Sequence, residues 1–162
     1  MQKQVELPQS LVWTCQQIST MNPIEVYGML QLRSKVFVLE QSCLYEDMDD
    51  LDIAPTCWHL LGRSSSSNAL LAFARILGPG TTDNNRQPMI GRVVIAPEAR
   101  GTGLGRPLMQ EAINVCEKLY PDLGIAISAQ AHLEKFYTSL GFLKSTPSYD
   151  EHGILHIGMQ RK

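Results

Sequence analysis

Six residues, Arg100-Gly101-Thr102-Gly103-Leu104-Gly105, constrain this chain more than any other stretch, because their glycines stand between a β-branched run and an amphipathic one. The preceding Ile90-Gly91-Arg92-Val93-Val94-Ile95 has strand character, while Leu104, Leu108, Ala112, Cys116 and Leu119 recur at helical spacing. The glycines therefore lie at a strand-to-helix junction. A helix start there offers unpaired N–H groups and the positive end of the macrodipole, and residues without Cβ let a diphosphate approach. A P-loop would continue with Lys and Ser/Thr, but Gly105 is followed by Arg106 and Pro107. A dinucleotide fingerprint would place its third glycine where Leu108 stands, and no acidic ribose partner follows nearby.

With 162 residues, 44% hydrophobic and 19% charged, the composition is that of one soluble globular domain spanning 1–162. A formal net charge of −2 supplies no general basic field, so nucleic acid is not an expected partner and any anion site must be local. Cysteines at 15, 43, 57 and 116 show no close pairing, which suits free thiols in the cytoplasm. Cys43, Cys57 and His59 lack the spacing of a metal site, and no metal is assigned. The polar N-terminus with Pro8 is unlike a signal peptide, and no later run reaches membrane-spanning length.

A strand is predicted near 11–15, and Asn22-Pro23 with Glu25 marks a helix start, with the helix running to about residue 38. Residues 40–55 carry Glu46, Asp47, Asp49, Asp50 and Asp52 without an apolar period and read as a solvated acidic loop or broken helix. Strands at 57–63, 69–77 and 89–95 form an antiparallel meander. A helix through residue 120 and a buried strand at 125–129 make a β-α-β unit with parallel strands. A helix at 132–140 and strands around 142–149 and 155–160 complete an α/β domain with a mixed central sheet flanked by helices.

In the segment from Gln130 to Phe142, Leu133, Phe136, Tyr137 and Leu140 fall at i, i+3, i+4 and i+7, the stripe of a helix packed on a sheet, and Gly141 is its stop. Two motifs now agree in order and separation. R-x-x-G-x-G through Arg100, Gly103 and Gly105, followed by Phe136-Tyr137 and Gly141-Phe142, resembles the acyl-CoA loop and later helix of the GCN5-related N-acetyltransferases, the GNAT family. Segments 32–45, 91–95, 129–132 and 153–159 are similar to the ElaA-type branch of that family, so the resemblance covers nearly the whole chain.

The resemblance implies a GNAT-like fold in which the strands at 90–95 and 125–129 splay apart and pantetheine fills the gap. Its amides would pair with main chain near Val93 and Ile95, while the diphosphate of acetyl-CoA would sit on the amides of Gly101, Thr102, Gly103, Leu104, Gly105 and Arg106. Arg100 and Arg106 would add charge, and Gln130 stands where the family commonly has asparagine. The implied reaction is attack of an amine on a thioester. Val94 N–H is assigned to the oxyanion and the Tyr137 phenol to protonation of the departing thiolate. The family's strand carboxylate is missing, since Arg92 stands there and nothing between Met89 and Ala96 replaces it. Candidate bases are Glu40, Asp47, Glu151 and His156, with His156 and Glu40 leading. Arg75 and Arg92, on neighbouring strands, would suit a carboxylate-bearing acceptor, whereas the acidic loop would attract a cationic amine. The acceptor is expected to be a small-molecule or peptide amine, and the resemblance leaves room for a homodimer. The rival expectation is a noncatalytic acyl-CoA-binding module on the same fold.

Overall fold

Asn22 opens the first helix through a reciprocal cap: its side chain accepts from Glu25 N at 2.9 Å, and Glu25 Oε2 accepts from Asn22 N at 3.1 Å. The computed structural model, which describes residues 10–162, continues this helix (α1, Pro23–Arg33) directly into a π-helical segment, Ser34–Glu40. The Gln41 amide closes the segment on Val36 O at 3.0 Å, so the helical path runs past the expected end near residue 38 with a wider last part.

β1 (Leu11–Gln16), β2 (Cys57–Ser64), β3 (Leu70–Leu77) and β4 (Met89–Ile95) form the antiparallel meander. After α2 (Gly105–Leu119), β5 (Ile125–Gln130) lies parallel to β4, as a crossover helix requires. A short α3 (Glu134–Thr138) precedes the hairpin of β6 (Leu143–Glu151) and β7 (Ile154–Arg161), and β7 inserts beside β5 to give the order β1-β2-β3-β4-β5-β7-β6. The helix expected at 132–140 is shorter because Ala131–Leu133 form a 3₁₀ turn and Phe142 N already bonds back to Tyr137 O at 3.2 Å.

β3 is buried on both faces, and the helices that pack on it are α1 and α2. On α2 the buried side is Leu108, Met109, Ala112, Ile113 and Cys116, the stripe that the sequence spacing implies. Phe73, Phe142, Met29, Leu60 and Ile76 are fully enclosed. Burial of each such side chain stabilises the fold by about 1.5–3 kcal/mol.

Two irregularities shape the sheet's centre. β4 pairs with β5 only at Met89↔Ala126 and Ile90↔Ile127, after which the strands separate. On the other edge of β4 the register passes from Arg75↔Gly91 to Phe73↔Val94, so two steps along β3 match three along β4. The extra residue is a bulge, and Arg92 within it takes a left-handed φ of 49°.

Candidate active site

Gly101 and Gly103 have φ of 75° and 79°, and a Cβ added at either would meet nothing within 4 Å. Glycine is therefore needed there for backbone conformation, and the space beside it is open. The amides of Gly101, Thr102, Gly103 and Leu104 make no hydrogen bond among the described residues. They lead into Gly105, the first residue of α2, so free donors and a 15-residue helix dipole converge. Thr102 Oγ1 ties the loop down by donating to Ala99 O at 2.6 Å. The flanking arginines have other partners. Arg100 meets Glu40 Oε1 at 2.5 Å, while Arg106 donates to Ser139 Oγ at 2.8 Å and lies 5.7 Å from the centre of the Phe136 ring.

Where β4 leaves β5, a cavity of about 650 Å³ opens, lined by both Ile127 and Ser128. Consecutive strand residues face opposite sides, so the cavity runs through the sheet. Leu133 and Tyr137 line it from the α3 side, and Arg75, Arg92, Glu151 and His156 contribute to its walls. Ala96 N donates to Leu71 O at 2.8 Å, so by alternation Val94 N–H also points at β3, whereas Val93 and Ile95 turn their amides toward the gap. This corrects the oxyanion assignment: Val94 has the wrong direction, and Val93 and Ile95 have the right one.

The acidic loop is not a solvated face, and Arg75 and Arg92 are not surface arginines. Arg33, fully buried at the end of α1, donates from Nε to Asp47 Oδ2 at 3.0 Å and from Nη1 to Asp52 Oδ1 at 2.7 Å. Arg75 grips Asp49 through both terminal nitrogens at 2.8 and 2.9 Å and reaches Asp52 at 3.1 Å. Arg92 Nε lies 2.8 Å from Asp47 Oδ1, Nη2 reaches Asp49 Oδ2 at 3.2 Å, and the guanidinium lies over the Tyr45 ring. Three arginines thus neutralise three aspartates. Burial would raise Asp49 and Asp52, but hydrogen bonds and charge from Arg75 and then Arg92 at Asp49, and from Arg33 and then Arg75 at Asp52, outweigh it and hold both below the usual carboxylate range. Local spacing does not single out Arg33; its only signal is a cation flanked by Leu30, Leu32 and Val36 in a helix.

Cys57 and His59 gather with Asp52 rather than with Cys43, their donor atoms lying within 4.8 Å of one another. The Asp52 carboxylate is already occupied by Arg33 and Arg75. Burial pushes the Cys57 thiol up to about 12 and lowers His59, keeping both neutral beside the ion pairs. Cys43 instead packs its Sγ near His152 O at 3.5 Å.

The structure brings Tyr137, Gln130 and His156 to the same cavity. Burial pushes the Tyr137 phenol up to about 12, and its ring is held edge-on by Phe136 and Phe142. Gln130 and His156 are cross-strand neighbours at the end of β5. Glu40 does not join them: its carboxylate is taken by Arg100, and it is not among the cavity-lining residues. Asp47 is likewise committed to Arg33 and Arg92.

A sequence profile described as Acetyltransferase (GNAT) domain matches residues 56–162. The chain is 41% identical to protein ElaA of Escherichia coli over 145 residues, covering 89% of this chain and 92% of that protein. A crystal structure of Escherichia coli ElaA superposes with a TM-score of 0.86 and 38% identity, covering 94% of this chain and all of the other (100%). A Pseudomonas aeruginosa structure titled as an acyl-CoA N-acyltransferase superposes with a TM-score of 0.88 and 42% identity, covering 94% and 100%.

Proposed function

Because the chain belongs to the GNAT acyltransferase family, in its ElaA-like branch, we propose that it transfers an acetyl group from acetyl-CoA directly to a primary amine of a small molecule or peptide. The observation that carries this reading is the cavity through the sheet, with Tyr137 and His156 on its walls and the free-amide loop at the start of α2. The amides of 101–104 and the open space beside Gly101 and Gly103 fit a diphosphate. Val93 and Ile95 turn their amides to the gap, where they suit pantetheine carbonyls and the thioester oxygen.

Acetyl-CoA supplies the thioester whose carbon accepts the amine nitrogen as the C–S bond breaks. An alkyl ammonium has a pKa of about 10, so a base must take its proton, and His156 is assigned that role. Tyr137 gives its phenolic proton to the thiolate and regains one from solvent. Burial pushes the phenol up to about 12, so it holds its proton at neutral pH, as a donor to the departing thiolate must. Arg75 and Arg92 are committed to aspartates, so recognition of an acceptor carboxylate by these guanidiniums is not favoured. We place the protein in the cytoplasm, where its four cysteines, all free, stay reduced. Among the described residues no helix is long and apolar enough to cross a membrane.

A noncatalytic acyl-CoA-binding module is the second reading, favoured by Arg92 in place of a strand carboxylate. Release of free thiol from acetyl-CoA across an amine panel separates the two. Turnover by wild type is expected, with Tyr137→Phe lowering kcat about 10²–10⁴-fold at unchanged CoA affinity. CoA binding without turnover of any amine would establish the second reading.

A further inference from the structure

Both ring nitrogens of His156 lie near oxygen atoms of the β6–β7 hairpin. Nδ1 lies 2.8 Å from Ile154 O, so the neutral ring carries its proton there and presents the Nε2 lone pair. Nε2 lies 3.4 Å from Glu151 Oε2, within ion-pair range though not hydrogen-bonded to it, so its lone pair is left for the acceptor. A proton taken up at Nε2 therefore comes to lie beside a carboxylate.

The hairpin holds this pair. His152 and Gly153 both have positive φ, 53° and 82°, giving a two-residue turn of the type that fits strand twist and fixes Glu151 opposite Ile154. Ser128 Oγ donates to Glu151 Oε2 at 3.2 Å and is itself hydrogen-bonded to the Tyr149 hydroxyl. The Tyr149 ring lies 6.2 Å from that of His156, inclined by 24°. Register places His156 between Gln130 of β5 and Tyr149 of β6, beside the gap.

We infer that Glu151 is the positioning residue for His156, and that a carboxylate–imidazole pair on the β6–β7 hairpin takes over the role of the missing strand carboxylate. The inference rests on the acyl-transfer reading. In the balanced step the ammonium proton passes to His156 Nε2, the freed nitrogen bonds to the thioester carbon, and Tyr137 protonates the departing sulfur. Other titratable groups face the same cavity: Tyr45, Glu46 and Asp49 from the loop, Arg75 from β3 and Arg92 from β4. Tyr137 on α3, His152 in the hairpin turn and the Cys43 thiol complete them. The two guanidiniums are matched by Asp47, Asp49 and Asp52, which leaves Glu151 as the carboxylate beside Nε2.

Two measurements test this. NMR of the His156 ring, which needs no turnover, should show its resonances displaced in Glu151→Gln and largely restored in Glu151→Asp. In Glu151→Gln kcat should fall about tenfold or more with KM for acetyl-CoA unchanged, Glu151→Asp should recover most of it, and Glu151→Gln should have no further effect on a His156→Gln background. Unchanged His156 ring resonances in folded Glu151→Gln overturn the pairing, as does an unchanged kcat. Absence of acyl transfer by wild type, with the ring resonances still displaced, overturns the acyl-transfer reading and the catalytic role while leaving the pair intact.

Discussion

Arg92 occupies the strand position where related enzymes often carry a glutamate, yet its side chain turns into an ion-pair network and its backbone adopts a φ of 49°. A left-handed conformation costs a residue with Cβ about 1–2 kcal/mol, and the guanidinium contacts to Asp47, Asp49 and Tyr45 offset it. Both Arg92→Ala and Arg92→Gly lose those contacts, but only glycine removes the conformational cost. Urea denaturation should therefore find the glycine variant more stable than the alanine variant by about 1 kcal/mol. Asp52→Ala removes one of the two carboxylates paired with the fully buried Arg33 and should cost about 3–5 kcal/mol. The signs for pH follow from the shifts. Asp49 and Asp52 are depressed, so their contribution is complete above about pH 4 and lost as pH falls through their folded values. His59 is also depressed, by burial, so its contribution is complete above about pH 6.5 and lost on acidification below that. The melting temperature should fall in two stages, the first smaller in His59→Gln.

At the scale of elements, the glycine loop separates fold from binding. A side chain at 103 meets no atom, so Gly103→Val should fold with a loss of about 1–2 kcal/mol from its φ of 79° while weakening CoA at least tenfold, read by calorimetry. Equal affinity would remove the loop from the site. The loop, the amphipathic face of α2 and the parallel crossover were legible in the sequence because each is written in local spacing. The π-helical end of α1 and the shortening of α3 were not, since both depend on which carbonyl an amide finds after packing. The bulge that brings Arg92 to the cavity was equally hidden: nothing local marks residue 92 for positive φ.

Across the whole molecule, the mixed sheet and the splayed pair emerged as the resemblance implied, but the charge network did not. Its partners lie 14 to 45 residues apart, and an acidic run looks the same in sequence whether it faces water or buried guanidiniums. Ligand linkage gives a global check: CoA at 100 times its Kd should stabilise the fold by about 2.7 kcal/mol, a rise of several degrees in Tm that ATP or NAD should not reproduce. CoA binding across the splayed strands is tested by an amide NMR titration with CoA, following Gly101, Gly103 and Gly105. These three resonances, with those of Val93 and Ile95, should show the largest movements. Large shifts elsewhere with these five unmoved would remove the loop and the gap from the binding site.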